Sequence, residues 1–206
     1  MGLFNSIRLG SSAAGDYEIE RSLRFNDDDN AHLSRTPSGS GNRKTWTISA
    51  WVKRGNLAGN TQIMFHAYDG SASRRFQFAF NTDDKLLYNQ GGGGSGSSGV
   101  ATSDMLFRDV SAWYHLVFRA DYTNGTAGDR LKVYVNGSQI DMTFSDAVTD
   151  TDGQWNKTSQ EHEIGVLGNT TEPFDGYMAD IYFVDGTALT PSSFGKTDPL
   201  TGQWIP

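Results

Sequence analysis

Apolar and polar residues alternate with a period of two along most of the chain. Trp46, Ile48, Ala50 and Val52 share one face of WTISAWVK, and Phe76, Phe78 and Phe80 share one face of RFQFAF. The same alternation groups Tyr114, Leu116, Phe118 and Ala120, then Leu131, Val133 and Val135, then Tyr177, Ala179, Ile181 and Phe183. Near the start, Tyr17, Ile19, Leu23 and Phe25 fall on one side of YEIERSLRF. Successive side chains on a strand point to opposite faces, so each segment predicts a half-buried strand. Clusters of Gly, Asn, Asp and Ser separate the segments, as turns require. Asn136-Gly137, between LKVYV and SQIDM, predicts a two-residue hairpin turn, because a type I′ turn needs positive φ at both central residues. The one helix signal is Thr190-Pro191 ahead of Gly195, which predicts a single turn near the C-terminus. Many short strands with almost no helix predict an all-β, antiparallel two-sheet sandwich.

The run GGGGSGSSG (Gly91–Gly99) interrupts this pattern and has three readings. Its last six residues match G-x-G-x-x-G, but a dinucleotide site needs a helix after the glycines. The segment that follows, VATSDMLFRDVSAWYHLVF, lacks a sustained helical period, so this reading is set aside. A linker between two small domains is the second reading, and a long inter-strand loop within one domain is the third.

Composition narrows the function classes. The chain has 206 residues, a formal net charge of −7 and no cysteine. An acidic chain with Arg74-Arg75 as its only arginine pair argues against nucleic acid as a partner. Without cysteine, neither disulfides nor thiolate metal sites contribute. Histidines 32, 66, 115 and 162 lack the spacing of a zinc hydrolase. No apolar run approaches the ~20 residues of a membrane-spanning helix, so no membrane insertion is expected.

From residue 16 onward the blocks SLRF, KTWTISAWVK, WYHLVFRAD, LKVYVNGSQI and FDGYMADIYFVDGTALTPSSF follow one another in an order that resembles laminin-G-like, or concanavalin A-like, jelly-roll domains. The last block, with RSLRFNDDDNAHLSRTPS, resembles in particular such domains in structural proteins of marine bacteriophages. The resemblance implies a jelly-roll domain over residues 16–195, an N-terminal arm over 1–15 and an irregular tail over 196–206. It makes Gly91–Gly99 a long loop. It also implies a virion protein assembled in the host cytoplasm: a fibre, capsid-decoration or receptor-binding subunit. Its partners would be other virion proteins, copies of itself (a trimer is favoured) and host-surface glycans.

Glycosidases of the fold carry their carboxylates in an E-x-D-x-[x]-E arrangement on one strand, and no such motif occurs. Asp16, Glu18 and Glu20 alternate in DYEIE and are read as a solvated strand face opposite buried Tyr17 and Ile19. No catalytic residue is assigned and the chain is expected not to be an enzyme. A polysaccharide-degrading hydrolase and a purely architectural subunit are the alternatives. Asn26–Asn30 (NDDDN) has the composition of a Ca²⁺ loop, but it is read as an Asx-rich turn, and no metal or cofactor is assigned. Sugar recognition pairs aromatic rings with polar side chains. Tyr68, Asp69, Tyr88, Trp155 and Asn156 are therefore the expected carbohydrate contacts, all placed in or beside loops. Trp46 or Trp51, and Trp113, are read as core. In the arm, Leu3, Phe4 and Ile7 are the expected assembly anchors, because an apolar patch too small for its own core orders against a partner.

Overall fold

The computed structural model describes residues 17–57, 59–68, 75–91, 97–168 and 171–206. Its strands are β1 (Leu23–Phe25), β2 (Leu33–Arg35), β3 (Thr45–Arg54), β4 (Gln62–Tyr68), β5 (Arg75–Phe80), β6 (Lys85–Gly91), β7 (Ser97–Leu106) and β8 (Tyr114–Asp121). They continue as β9 (Leu131–Val135), β10 (Ser138–Ile140), β11 (Met142–Asp146), β12 (Glu161–Ile164), β13 (Gly176–Asp185), β14 (Lys196–Thr197) and β15 (Trp204–Ile205). Helical structure among the described residues is limited to 3₁₀ turns, one of them at Pro191–Ser193 as the Thr190-Pro191 signal predicts.

Two antiparallel sheets face each other. One has the order β1-β13-β3-β8-β9-β10 and the other β11-β7-β6-β5-β4-β12-β2. Strands from both halves of the chain therefore share each sheet, with β13 seated between β1 and β3. This is the two-sheet sandwich the alternation predicts and the jelly roll the resemblance implies, and it rules out two tandem domains joined by the glycine run. β6 extends to Gly91 and pairs it with Ser97 of β7. The loop is thus shorter than expected, since the ladder continues into both ends of Gly91–Gly99. The Asn136-Gly137 turn is as predicted, with φ of 48° and 81° and Ser138 paired to Val135.

The inner faces hold the residues that the alternation selects. Trp46, Ile48, Ala50 and Val52 meet Phe76, Phe78 and Phe80 across the sandwich, with Leu116, Phe118, Leu131 and Val133 alongside. Phe78 and Phe118 stack with centroids 3.6 Å apart, and Trp46 meets the edge of Phe76 at 5.3 Å. Burying aromatic area of this size is the main source of stability in such a fold. At one end of the core Arg54 is 1% exposed; its guanidinium donates to Asp84 Oδ1 (2.9 Å) and the Phe107 carbonyl (2.8 Å) and lies over the Phe80 ring. Burial acts to raise the Asp84 carboxyl, but hydrogen bonds from Arg108 and Arg54 outweigh it and hold the carboxyl below its ordinary range.

Four expectations are corrected. Tyr17 is exposed and lies outside any strand, because β1 pairs with β13 only from Leu23↔Met178 to Phe25↔Gly176. β13 itself does not keep one face: a bulge lies between Ala179 and Tyr182, with Asp180 at φ 46°. A bulge inserts an extra residue and reverses the inward and outward phase. Met178 points inward before it, and Ile181 packs on the core after it. Of Trp46 and Trp51, Trp46 is the core residue and Trp51 faces outward between Ala50 and Val52, whereas Trp113, expected in the core, is 37% exposed. The C-terminal tail, expected to be irregular, forms the two-stranded pair β14–β15.

Candidate functional site

β1 covers only the first part of β13, so residues 180–185 of β13 have no strand partner on that edge. β2 is the corresponding edge of the other sheet. Between them runs a cleft of about 730 Å³, within the size range of small-ligand sites. Its apolar surface comes from Leu33, Ile164, Ile181 and Phe183. Leu33 and Phe183 are both more than two-fifths exposed, 45% and 41%, which is costly unless something covers them.

Trp155 forms the back of this cleft. It is 6% exposed and is held by Phe76 (4.8 Å between centroids), His162 (4.7 Å), Phe183 (5.8 Å) and Phe65 (6.4 Å). Its role is to fix Phe183 and His162 at the surface, while most of its own ring belongs to the core.

Asn156 follows in the left-handed region at φ 62°, a conformation Asn tolerates better than most residues. Its side-chain amide donates to Asp185 Oδ1 (2.8 Å) and to the Asn42 carbonyl (3.2 Å), and its backbone N–H donates to His162 Nε2 (2.8 Å). Asp185 Oδ1 also accepts the Asn42 N–H at 2.8 Å. Gly41 passes so close that a side chain there would collide with Asn156 and Asp185. The wall is therefore rigid, and among the described residues neither Asn156 Oδ1 nor Asp185 Oδ2 accepts a hydrogen bond, so both can accept from a ligand.

His162 is fixed in one tautomer. Nε2 accepts from Asn156, so Nδ1 carries the hydrogen and donates to the Gln160 carbonyl at 2.8 Å. Burial lowers its pKa; the bond to Gln160 opposes this, and the nearby charges of Arg35 and His66 add to the lowering. A neutral ring edge, the Arg35 guanidinium and two oxygen acceptors beside exposed apolar side chains form a surface suited to a polyhydroxylated ligand. Asp185 is the one carboxylate lining the cleft among the described residues. Two carboxylates flanking a scissile bond, the usual requirement of a glycosidase, are not assembled there.

Of the expected carbohydrate contacts, Trp155 and Asn156 come together in this cleft. Tyr68 does not join them: it ends β4 on the opposite face of its sheet, 5.6 Å from the His66 ring. Tyr88 is fully buried, with its hydroxyl 2.8 Å from that of Tyr122 and its ring tilted against Phe78 at 5.2 Å. Burial takes it out of reach of a ligand; alternation along KLLYNQ, with Leu86, Tyr88 and Gln90 inward, was the signal that it is core. Asp69, Asp16 and the arm residues Leu3, Phe4 and Ile7 lie outside the described residues. Glu18 and Glu20 are exposed and lie outside any strand. In NDDDN, Asp27–Asp29 form a 3₁₀ turn, Asn30 is left-handed at φ 53°, and Asp29 Oδ1 accepts the Ala31 N–H at 3.2 Å. Arg35, His162, Phe183 and Asp185 were not anticipated, since nothing local in their segments marks them as converging.

Structural comparison places the sandwich among lectin-like folds. The native heptameric SAP-like pentraxin from Limulus polyphemus superposes with a TM-score of 0.57 at 17% identity, over 84% of this chain and 78% of that one. Domains LG4-5 of the mouse laminin α1 chain give 0.54 at 14% identity, over 80% of this chain and 41% of that one. The CBM40 of the Ruminococcus gnavus IT-sialidase, bound to α2,3 sialyllactose, gives 0.54 at 14% identity, over 80% and 96%. No curated protein sequence matches the chain significantly. The family profile Laminin_G_3, described as the concanavalin A-like lectin/glucanases superfamily, matches residues 26–193. With most of its length matched and both sheets in place, the chain belongs to the concanavalin A-like lectin/glucanases superfamily.

Proposed function

We propose that this chain is a non-enzymatic glycan-binding module that serves a virion as a fibre, capsid-decoration or receptor-binding subunit. The observation that carries the binding part is the cleft between β13 and β2. There exposed Leu33 and Phe183 lie beside the open acceptors of Asn156 and Asp185 and the guanidinium of Arg35. Apolar side chains take the C–H face of a sugar, and the acceptors take its hydroxyls. Its length along two strand edges suits an oligosaccharide more than a single ring. That a carbohydrate-binding module of this fold holds sialyllactose supports the reading for the fold class. The virion part rests on the resemblance of the RSLRFNDDDNAHLSRTPS and C-terminal blocks to bacteriophage structural proteins.

A glycan array probed with the wild-type chain and with Phe183→Ala and Asn156→Ala tests this. At least one oligosaccharide should bind wild type and lose tenfold or more in affinity in both variants. Binding that both variants retain would remove the cleft from the account.

A further inference from the structure

The outer face of the six-stranded sheet carries a second arrangement, independent of the edge cleft. Trp51 points away from the core and has His115 beside it on β8 and Ala179 on β13. The His115 ring stacks on Trp51 with centroids 5.0 Å apart and planes 30° from parallel. His115 is itself held at both nitrogens. The Trp204 indole N–H donates to Nδ1 at 2.9 Å, so Nε2 carries the hydrogen and donates to Ser49 Oγ at 2.9 Å. One side of the Trp51 indole is therefore covered by a ring that cannot turn. On its other side Ala179 presents only a methyl group, and a hollow of about 380 Å³ opens there. Trp113 forms a further wall, and the segment carrying Glu18, Glu20 and Arg21 borders it.

We infer that this hollow is a second saccharide site, one that takes a single neutral pyranose ring. Its volume sits at the lower end of the range for small-ligand sites, enough for one ring and not for a chain. Two indoles offer flat apolar surface for the C–H face of a sugar, and locking by His115 removes the entropy cost of orienting Trp51. Glu18 and Glu20 accept from hydroxyls, and Arg21 donates to ring or glycosidic oxygens. Two carboxylates against one guanidinium leave the rim negative, which disfavours acidic sugars, while Arg21 disfavours a bare cation. The signal that separates this site from a structural aromatic row is Ala179. A large residue at that position would complete the row and close the hollow.

Saturation-transfer NMR with methyl β-D-glucoside, methyl β-D-galactoside and methyl α-D-mannoside at millimolar concentration tests the assignment. At least one of the three should receive saturation at its ring C–H protons from the wild-type chain. Trp113→Ala, a change at a partly exposed residue, should reduce that transfer at least tenfold. Ala179→Leu, which fills the hollow, should do the same, whereas Phe183→Ala in the edge cleft should leave it unchanged. Absence of transfer from all three sugars, or transfer that survives Trp113→Ala, overturns the inference. Loss in Phe183→Ala with retention in Trp113→Ala also overturns it, and assigns the binding to the cleft instead.

Discussion

His115 accepts a hydrogen bond from Trp204 at one nitrogen and gives one to Ser49 at the other, and only its neutral form does both. Burial lowers its pKa from the ordinary 6.5 to about 4. Ser49, Trp51, Phe194 and Trp204 surround it, and none of them brings a charge that would favour the protonated ring. A detached or unfolded state takes up the proton near pH 6.5, while the packed state resists until about pH 4. The contribution of His115 is therefore complete above pH 6.5 and is lost as pH falls through the folded value; its size is on the order of 3 kcal/mol. Gly137 shares in this contact, because a Cβ there would meet the Trp204 ring. Tryptophan emission recorded against pH, with Trp204→Phe subtracted, should show a red-shifting step near pH 4. A flat difference profile from pH 6.5 to pH 3.5 would mean that Trp204 does not depend on neutral His115.

Among the elements, β13 decides where both candidate sites lie. Before its bulge Ala179 faces outward and leaves the hollow beside Trp51; after it, Ile181 and Phe183 reach the open edge of the sandwich. The sequence block YMADIYFV shows unbroken alternation, so it reads as one continuous face. Nothing in it announces that Asp180 adopts φ 46°, and for that reason neither site was legible as a constellation. The central strands were legible because burial of one face selects their register, as Trp46-Ile48-Ala50-Val52 and Phe76-Phe78-Phe80 illustrate. Trp155 was legible as an aromatic in a polar segment, but its contacts with Phe65 and Phe76 depend on tertiary packing that no local pattern carries.

The glycine run separates two effects that the sequence merges. Replacing residues 92–96 by Asn-Gly, a turn that closes the Gly91↔Ser97 pair, should change stability by less than about 1 kcal/mol, since closure entropy varies slowly with length. Gly99 is different: its φ is 144°, and a Cβ would sit 2.8 Å from Val148 Cγ2 and 3.1 Å from Tyr88 Cε1. Gly99→Ala should lower stability by about 1–3 kcal/mol. Denaturant melts of the two variants compare them directly, and equal losses would contradict this division of roles.

For the whole molecule, the two interleaved sheets gather the strands from Leu23 to Asp185 into one sandwich, and a negative net charge leaves its surface unsuited to polyanions. In the virion reading this sandwich is the displayed part, and attachment falls to the N-terminal arm with Leu3, Phe4 and Ile7. Deleting residues 2–14 should leave the melting transition in place while abolishing homo-oligomers, expected to be trimers from the resemblance to phage structural proteins, and incorporation into particles. Sedimentation of the deleted chain at the same oligomeric state as the intact one would sink the arm as an assembly element.

The central claim is that the molecule binds a polysaccharide and leaves it intact, and one gel measurement addresses both halves. Native electrophoresis through gels cast with laminarin, agar or the surface polysaccharide of a host cell reads binding as retardation, and a reducing-end assay of the same lanes reads cleavage. The account predicts retardation by at least one of these polymers, weakened in Phe183→Ala, with no reducing ends released. Migration unaffected by every polymer, or reducing ends that appear with wild type and vanish in Glu18→Gln, would contradict it.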